Sequence, residues 1–138
     1  MLSLGTTQYT SIANWMDIMK ESTSHTCQIC SERVFLVQKL AFPLPFIVLD
    51  FSGKTLSLDH TLHLSINQVN VTYKLRGIVY FGMAHFTSSI IYDNEMVWYN
   101  DSYETGRNVI YEGMLSNMHA ELNSNRGRDA LVAIYAKC

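Results

Sequence analysis

The chain has 138 residues, which is enough for one domain or part of one. Hydrophobic residues make up 48% and charged residues 16%, a balance that supports a packed core and excludes a disordered or low-complexity chain. With a net charge of −2 and only short apolar runs, the sequence gives no indication of a nucleic-acid partner or of membrane insertion.

The first half is predicted to hold one helix followed by strands. Ile12, Trp15, Met16 and Met19 recur at helical spacing and form one apolar stripe, and either Thr10 or Ser11 can cap the helix. The elements expected here are, in chain order, a helix at 11–20, a polar loop at 21–24, a strand at Val34–Gln38, a strand at Phe46–Leu49 covered on both faces, and a turn at 52–54.

The second half is predicted to be mostly strands. Leucine and isoleucine alternate with other residues between Leu56 and Ile66, the pattern of half-buried strands. The further elements expected are strands at Tyr73–Phe81, Thr87–Tyr92, Met96–Tyr99, Val109–Tyr111 and Leu131–Tyr135, a weak helix at Met114–Leu122 and a polar loop at 123–128. One or two helices followed by many strands predict an α+β fold with a mostly antiparallel sheet.

Cys27 and Cys30 form a C-x-x-C motif, which can present two thiolates to one metal ion. Zinc needs two more ligands, and the sequence has no second C-x-x-C; His25 and Cys138 are the other donors to consider. We therefore expect no cofactor or, at most, weakly bound zinc, and the structural alternative is a pair of partly buried thiols. The odd number of cysteines, without a basic-then-apolar leader, favours an intracellular location, cytoplasmic or nuclear.

His85 follows a predicted strand and precedes a predicted hairpin whose second strand leads to Asn100 and Asp101. A histidine can serve as general base to a thiol when a carboxylate or amide holds its other ring nitrogen. A two-residue loop at Asp93-Asn94 would place Asn100 on the face of His85, whereas a three-residue loop ending at Glu95 would place Asp101 there. The alternative is a histidine with only a structural role.

Several segments together resemble the ubiquitin-specific protease family, a papain-like group of cysteine deubiquitinases. The resemblance runs from about Leu4 to Lys137, and parts of it are similar to divergent fungal copies. The segments that carry it are SIANWM at 11–16, CQIC at 27–30, LAFPLPFIVL at 40–49, YKLRGIVYFG at 73–82, HF at 85–86, WYNDS at 98–102 and ALVAIY at 130–135.

The resemblance implies a single partial domain at 1–138, with a helix and C-x-x-C knuckle at 1–32 and the palm sheet with its histidine box at 33–138. It implies that His85 is a catalytic residue, that Asp101 or Asn100 orients it, and that ubiquitin or a ubiquitin-conjugated protein is the partner. The family's nucleophile box, "N.GNTC", has no counterpart before Ser11, so the N-terminal thumb is expected to be missing.

Three departures from the family pattern bear on function: the missing nucleophile box, the missing second knuckle, and Ala84 in place of the glycine before the catalytic histidine. The first of these predicts that the chain alone does not hydrolyse isopeptide bonds, so whether it is an enzyme stays open. The alternatives are a non-catalytic module that binds ubiquitin or another protein, and a small structural or metal protein organised around Cys27 and Cys30.

Overall fold

A mostly antiparallel β-sheet dominates the fold of this chain. The computed structural model describes residues 2–3, 11–18, 20–37, 39–50, 56–119 and 122–138, and in these ranges only one α-helix is found. The elements are, in chain order, β1 (Leu2–Ser3), α1 (Ile12–Ile18), β2 (Lys20–Thr26), β3 (Arg33–Val37), β4 (Phe46–Asp50), β5 (Thr61–Ile66), β6 (Val69–Gly82), β7 (His85–Ile91), β8 (Met96–Asn100), β9 (Ile110–Met114), a 3₁₀-helix (Leu115–Asn117), β10 (Ser124–Asn125) and β11 (Arg128–Lys137).

The main sheet has the strand order β1-β4-β11-β6-β7-β8-β9, and β5 and β10 pair with β6 and β11 respectively. β1 and β4 run parallel, and the other neighbours run antiparallel. Because antiparallel neighbours alternate in direction, the end of β6, the start of β7, the end of β8 and the start of β11 meet at one end of the sheet. The predicted mostly antiparallel sheet is confirmed.

Helix α1 covers part of this sheet near β5. Its described stripe residues are buried, namely Ile12, Trp15 and Met16. Ser11 Oγ accepts a hydrogen bond from the Asn14 amide at 3.1 Å, and Asp59 Oδ2 accepts one from the Ala13 amide at 2.7 Å. Two otherwise unpaired amides at the helix start are thereby satisfied. Ser11 is thus a cap, as expected, while Met19 and Thr10 lie outside the described residues.

The core lies between α1 and one face of the sheet. In β5, Leu62, Leu64 and Ile66 are buried whereas His63 is exposed, so the predicted alternation is confirmed. Tyr135 is buried on β11 and donates its hydroxyl to the Asp59 carbonyl at 2.7 Å. Burial raises the pKa of Tyr135, which keeps this hydroxyl protonated as a donor.

Four local predictions are wrong. Residues 21–24 belong to β2, because pairing with β3 outweighs their polar composition. Over its described residues up to His119, the helix predicted at Met114–Leu122 is replaced by the end of β9 and a short 3₁₀ turn, and Met118 is extended. The polar loop at 123–128 is instead a tight hairpin of β10 and β11. The strand at Phe46–Leu49 is fully buried on one face only, since on the other face Phe46 is exposed and Val48 is half-buried.

The hairpin of β2 and β3 forms a sheet of its own, separate from the main sheet within the described residues. The hairpin includes residues 32 and 33, between which the knuckle and the palm sheet are expected to divide, and this division stays a prediction. The expected turn at 52–54 lies outside the described residues.

Candidate functional site

A tight turn sets the position of His85 at the start of β7. Gly82 pairs with His85, and the two residues between them, Met83 and Ala84, have φ values of 54° and 57°. A two-residue turn with two positive φ angles matches the right-handed twist of a hairpin, but residues other than glycine or asparagine adopt it at a cost of about 1–2 kcal/mol each. The turn at Ala84 therefore has the backbone conformation that glycine would adopt without strain.

The loop between β7 and β8 decides which residue shares the face of His85. The Tyr92 amide donates to the Met96 carbonyl at 3.1 Å, and Glu95 has a φ of 62°, so the loop contains three residues. In the resulting register Ser88 lies opposite Asn100. Because side chains alternate along each strand, Asp101 shares the inner face with His85.

His85 and Asp101 form a close pair on that face. His85 Nε2 donates to Asp101 Oδ1 at 2.7 Å, and the two side chains are 15% and 1% exposed. Asp101 Oδ1 also accepts hydrogen bonds from the amides of Tyr103 at 2.9 Å and Glu104 at 3.4 Å. The structure thus brings together the histidine and one of its two candidate partners.

The pKa of Asp101 follows from these contacts. Burial by itself raises the pKa of this carboxyl, but the hydrogen bonds from His85, Tyr103 and Glu104 outweigh burial and hold the pKa below its usual value. The carboxylate is therefore charged at neutral pH. Asp101 therefore stabilises the folded state at any pH above its unfolded-state pKa of about 4. This stabilisation is lost as the pH falls through the lower pKa that Asp101 has in the folded state.

Asn100 has a different place in the structure. Its Nδ2 donates to the Asn108 carbonyl at 2.7 Å and to Thr105 Oγ1 at 3.2 Å, on the outer side of β8. Thr105 Oγ1 in turn donates to the Asp101 carbonyl at 2.8 Å. Asn100 therefore holds the loop that follows β8 and makes no hydrogen bond to His85.

Three further side chains surround the pair, and none of them was singled out from the sequence. The ring of Tyr103 lies 4.5 Å from that of His85, centroid to centroid, and is largely exposed. The Tyr99 hydroxyl donates to Asp101 Oδ2 at 3.5 Å, and Arg128 Nη2 lies 3.7 Å from the same oxygen. Tyr99 and Tyr103 flank Asp101 in the sequence, whereas no local signal identifies Arg128.

The arrangement leaves one imidazole nitrogen available. Nε2 is held by Asp101, which fixes the tautomer with its hydrogen on Nε2. Within the part of the chain that the structure describes, Nδ1 of His85 has no hydrogen-bond partner. A neutral imidazole held in this way can accept a proton at Nδ1 from a thiol or a water molecule placed beside it.

The C-x-x-C motif forms the turn at the tip of the β2–β3 hairpin. The Cys27 amide donates to the Glu32 carbonyl at 2.7 Å and the Ser31 amide to the Cys27 carbonyl at 2.9 Å. Hydrogen bonds from the amides of Cys30 and then Ile29, together with the Cys30 side chain, lower the pKa of Cys27. No group of three or more potential metal ligands occurs among the described residues, so these two thiols are half of a zinc site at most.

We expect the purified chain to retain much less than one zinc ion per molecule, because two thiolates leave half of a tetrahedral site to water. Elemental analysis after purification checks this, with the Cys27→Ser variant as control. Stoichiometric zinc that disappears in that variant would contradict the expectation and would imply ligands that the described residues do not provide.

His25 lies at the end of β2 next to the C-x-x-C turn and shares a hydrogen bond with Ser24 Oγ at 3.3 Å, whereas His60, His63 and His119 lie away from both sites. His63 is exposed and shares a hydrogen bond with Thr72 Oγ1 at 3.2 Å, and the rings of His60 and His119 are parallel, 5.8 Å apart. Cys138 lies at the far end of β11, where its amide donates to the Thr72 carbonyl at 2.9 Å. In the described ranges no helix is long and apolar enough to cross a membrane.

Solved structures provide the comparison that bears on this fold. No protein-family model matches the chain, and neither does any curated protein. Over 99% of its length it superposes on about a third of a chain from the SAGA DUB module, Ubp8, Sgf11, Sus1 and Sgf73, bound to monoubiquitin, with a TM-score of 0.67 and 14% identity. The chain has the fold of that part of the module.

Two further solved structures match the chain. Another structure of the Ubp8–Sgf11–Sgf73–Sus1 SAGA DUB module gives a TM-score of 0.63 at 16% identity, over 99% of this chain and 33% of the other. An essential yeast splicing factor gives 0.51 at 11% identity, over 99% of this chain and 36% of the other. The chain therefore spans about a third of the length of the chains that it matches.

Proposed function

We propose that this chain is the histidine-bearing part of a ubiquitin-specific-protease-like hydrolase, a cysteine-type peptidase that acts on ubiquitin conjugates in an intracellular compartment, cytoplasmic or nuclear. The hydrogen bond between His85 Nε2 and Asp101 Oδ1 carries the proposal. It lies where the family resemblance puts the catalytic histidine and its partner, in a fold shared with part of the SAGA DUB module. Residues 1–138 would be one partial domain whose main sheet corresponds to the palm.

The proposed chemistry needs a thiol beside Nδ1 of His85. The thiol proton moves to Nδ1, the thiolate attacks the isopeptide carbonyl, and the imidazolium then returns the proton to the leaving amine. Water hydrolyses the resulting thioester with the same nitrogen acting as base. Asp101 would keep the ring oriented throughout and stabilise the imidazolium.

None of the three cysteines is placed to be that thiol. Cys138 lies ten residues beyond Arg128 along β11, and Arg128 is beside the His85 end of the sheet, so roughly 30 Å separates Cys138 from His85. Cys27 and Cys30 belong to the separate β2–β3 hairpin, and the contacts found for them lie within its turn. On this proposal the nucleophile comes from polypeptide outside residues 1–138, which corresponds to the thumb.

The inner face of the sheet has room for such an element. A cavity of 570 Å³ opens there beyond β7 and is lined by sheet residues, including Tyr80 and Ser89, and by apolar side chains such as Met114, Met118 and Leu122. Ser89 lies on the same face of β7 as His85, about 13 Å along the strand. This open volume supports docking of a further segment on the face of the sheet that carries His85.

Ubiquitin binding and turnover together test the proposal. Labelled chain titrated with ubiquitin should show chemical-shift changes around His85 and Tyr103, and ubiquitin without its C-terminal tail should lose them. The chain alone should not cleave a fluorogenic ubiquitin substrate, whereas a protein extended with the polypeptide encoded upstream should do so and lose activity in His85→Ala.

Two results would overturn the proposal. One is the absence of any ubiquitin-dependent shift in both the chain and the extended protein. The other is turnover by the chain alone that disappears in Cys27→Ala or Cys30→Ala, because the thiol would then be one that this proposal excludes.

A non-catalytic interaction module is the second candidate. The same fold occurs in an essential yeast splicing factor, and no thiol of this chain is placed beside His85. A shared fold does not imply a shared activity. Ubiquitin binding without turnover in the extended protein would favour this candidate, and His85→Ala would then leave affinity nearly unchanged.

A further inference from the structure

Arg128 places a second charge beneath the His85–Asp101 pair. The side chain is 11% exposed, and its Nη2 lies 3.7 Å from Asp101 Oδ2, while Nε is buried without a hydrogen-bond partner in the described part of the chain. Burying a guanidinium with one long ion pair and an unpaired donor is unfavourable on its own. A contribution to packing alone does not account for this charge in this position.

The backbone around Arg128 is built to bring the side chain to this position. A Cβ added at Gly82 would lie 3.1 Å from both Cα and Cγ of Arg128, so glycine lets β11 approach the end of β6 closely. The turn before Arg128 has positive φ values at Arg126 and Gly127, of 50° and 76°. With β11 this close to the end of β6, Arg128 Nη2 lies 3.7 Å from Asp101 Oδ2.

We propose that Arg128 is a positioning residue that balances the charge of Asp101 and so keeps the imidazole of His85 neutral, with Nδ1 free to accept a proton. With His85 neutral, the buried group of Asp101 and Arg128 has no net charge. Without Arg128, an unbalanced carboxylate would face the imidazole and favour the imidazolium, which cannot act as a base. That a neutral His85 serves as a catalytic base rests on the proposed function. The charge balance between Arg128 and Asp101 does not depend on it.

The other polar groups around the ring do not replace Arg128. The loop after β8 contributes the Tyr103 ring and the amides of Tyr103 and Glu104, and β8 contributes the Tyr99 hydroxyl, all of which are uncharged. The Glu104 carboxylate is exposed and lies 3.9 Å from Arg126. Arg126 stacks over Tyr99 and pairs with Glu112 at 3.4 Å rather than with Asp101.

NMR titration of His85 tests the proposal in the chain itself. In Arg128→Gln the midpoint of the His85 titration should rise by about one pH unit, the shift expected when a cation several Å away is removed at an effective dielectric near 20. Arg128→Lys should keep the midpoint near that of the original chain because the charge remains. Arg126→Gln is the matched control and should leave it within about 0.2 unit.

A purely structural role for Arg128 would lower the melting temperature without moving the titration. If Arg128→Gln does not fold, Gly82→Ala provides a second test, since the added methyl pushes Arg128 away from Asp101 and should raise the midpoint in the same direction. An unchanged midpoint in a folded Arg128→Gln chain, or equal shifts in Arg128→Gln and Arg128→Lys, would overturn the proposal. Because no turnover is measured, its failure is distinct from failure of the proposed function.

Discussion

In a protein that places a thiol beside His85, changing Asp101 to asparagine should lower kcat/KM for a ubiquitin substrate on the order of 10²–10⁴-fold. Asp101 holds Nε2 of His85 at 2.7 Å and is itself fixed by the amides of Tyr103 and Glu104. An asparagine amide can turn its NH₂ group toward the imidazole and favour the wrong tautomer, and it cannot stabilise an imidazolium by charge. The measurement is steady-state hydrolysis by the extended protein at neutral pH.

Asn100→Ala is the matched control for this prediction. The Asn100 side chain holds the loop through Asn108 and Thr105 and makes no hydrogen bond to the His85 ring. Its removal should therefore lower kcat/KM by no more than about tenfold. Faster amide exchange in residues 103–108 should accompany it. A larger decrease in kcat/KM in Asn100→Ala than in Asp101→Asn would mean that Asn100, and not Asp101, orients His85.

The contact between His85 and a polar residue at the end of β8 could be predicted from the sequence up to one local detail. Both hairpin strands could be recognised from their alternating apolar residues, and both possible loops brought a polar side chain to His85. The choice between Asp101 and Asn100 depended on whether Glu95 joins the loop, and no residue there is a glycine that would reveal a positive φ. Glu95 adopts the left-handed region because the register of β7 and β8 requires a third loop residue.

Arg128 could not be predicted from local patterns. It lies in a segment that reads as a polar loop, and its partner Asp101 is 27 positions earlier in the chain. The contact depends on β11 pairing with β6 and on the close approach at Gly82, both of which are tertiary features. Strand β2 was missed for a related reason, since its residues are polar and only pairing with β3 makes them a strand.

The fold of this chain does not by itself fix an activity. On the function proposed above, His85 held by Asp101 would be the general base, and acyl transfer would also need a nucleophile placed beside it. The fold is shared both with part of the SAGA DUB module and with part of a splicing factor. On the function proposed above, the segment that docks against the inner face of the sheet would decide between the catalytic and the non-catalytic candidate.

Replacing Leu62 with alanine should lower the free energy of unfolding by about 2–5 kcal/mol, the cost of removing a buried leucine side chain and leaving a cavity. Leu62 is fully buried on β5 and lies opposite Tyr73, which is also buried, at the centre of the core between α1 and the sheet. Urea denaturation measures the change, and an unchanged m-value would show that the same surface is exposed on unfolding.

His63→Ala is the control one position along the same strand. His63 points to solvent and makes a single side-chain hydrogen bond to Thr72, so its removal should change the free energy of unfolding by no more than about 0.5 kcal/mol. The contrast tests the register of β5, because a shift of one residue exchanges the buried and exposed faces. If the two variants lost similar amounts of unfolding free energy, or His63→Ala lost more, β5 would not pair with β6 in the register observed. The core beneath α1 would then be formed by other side chains.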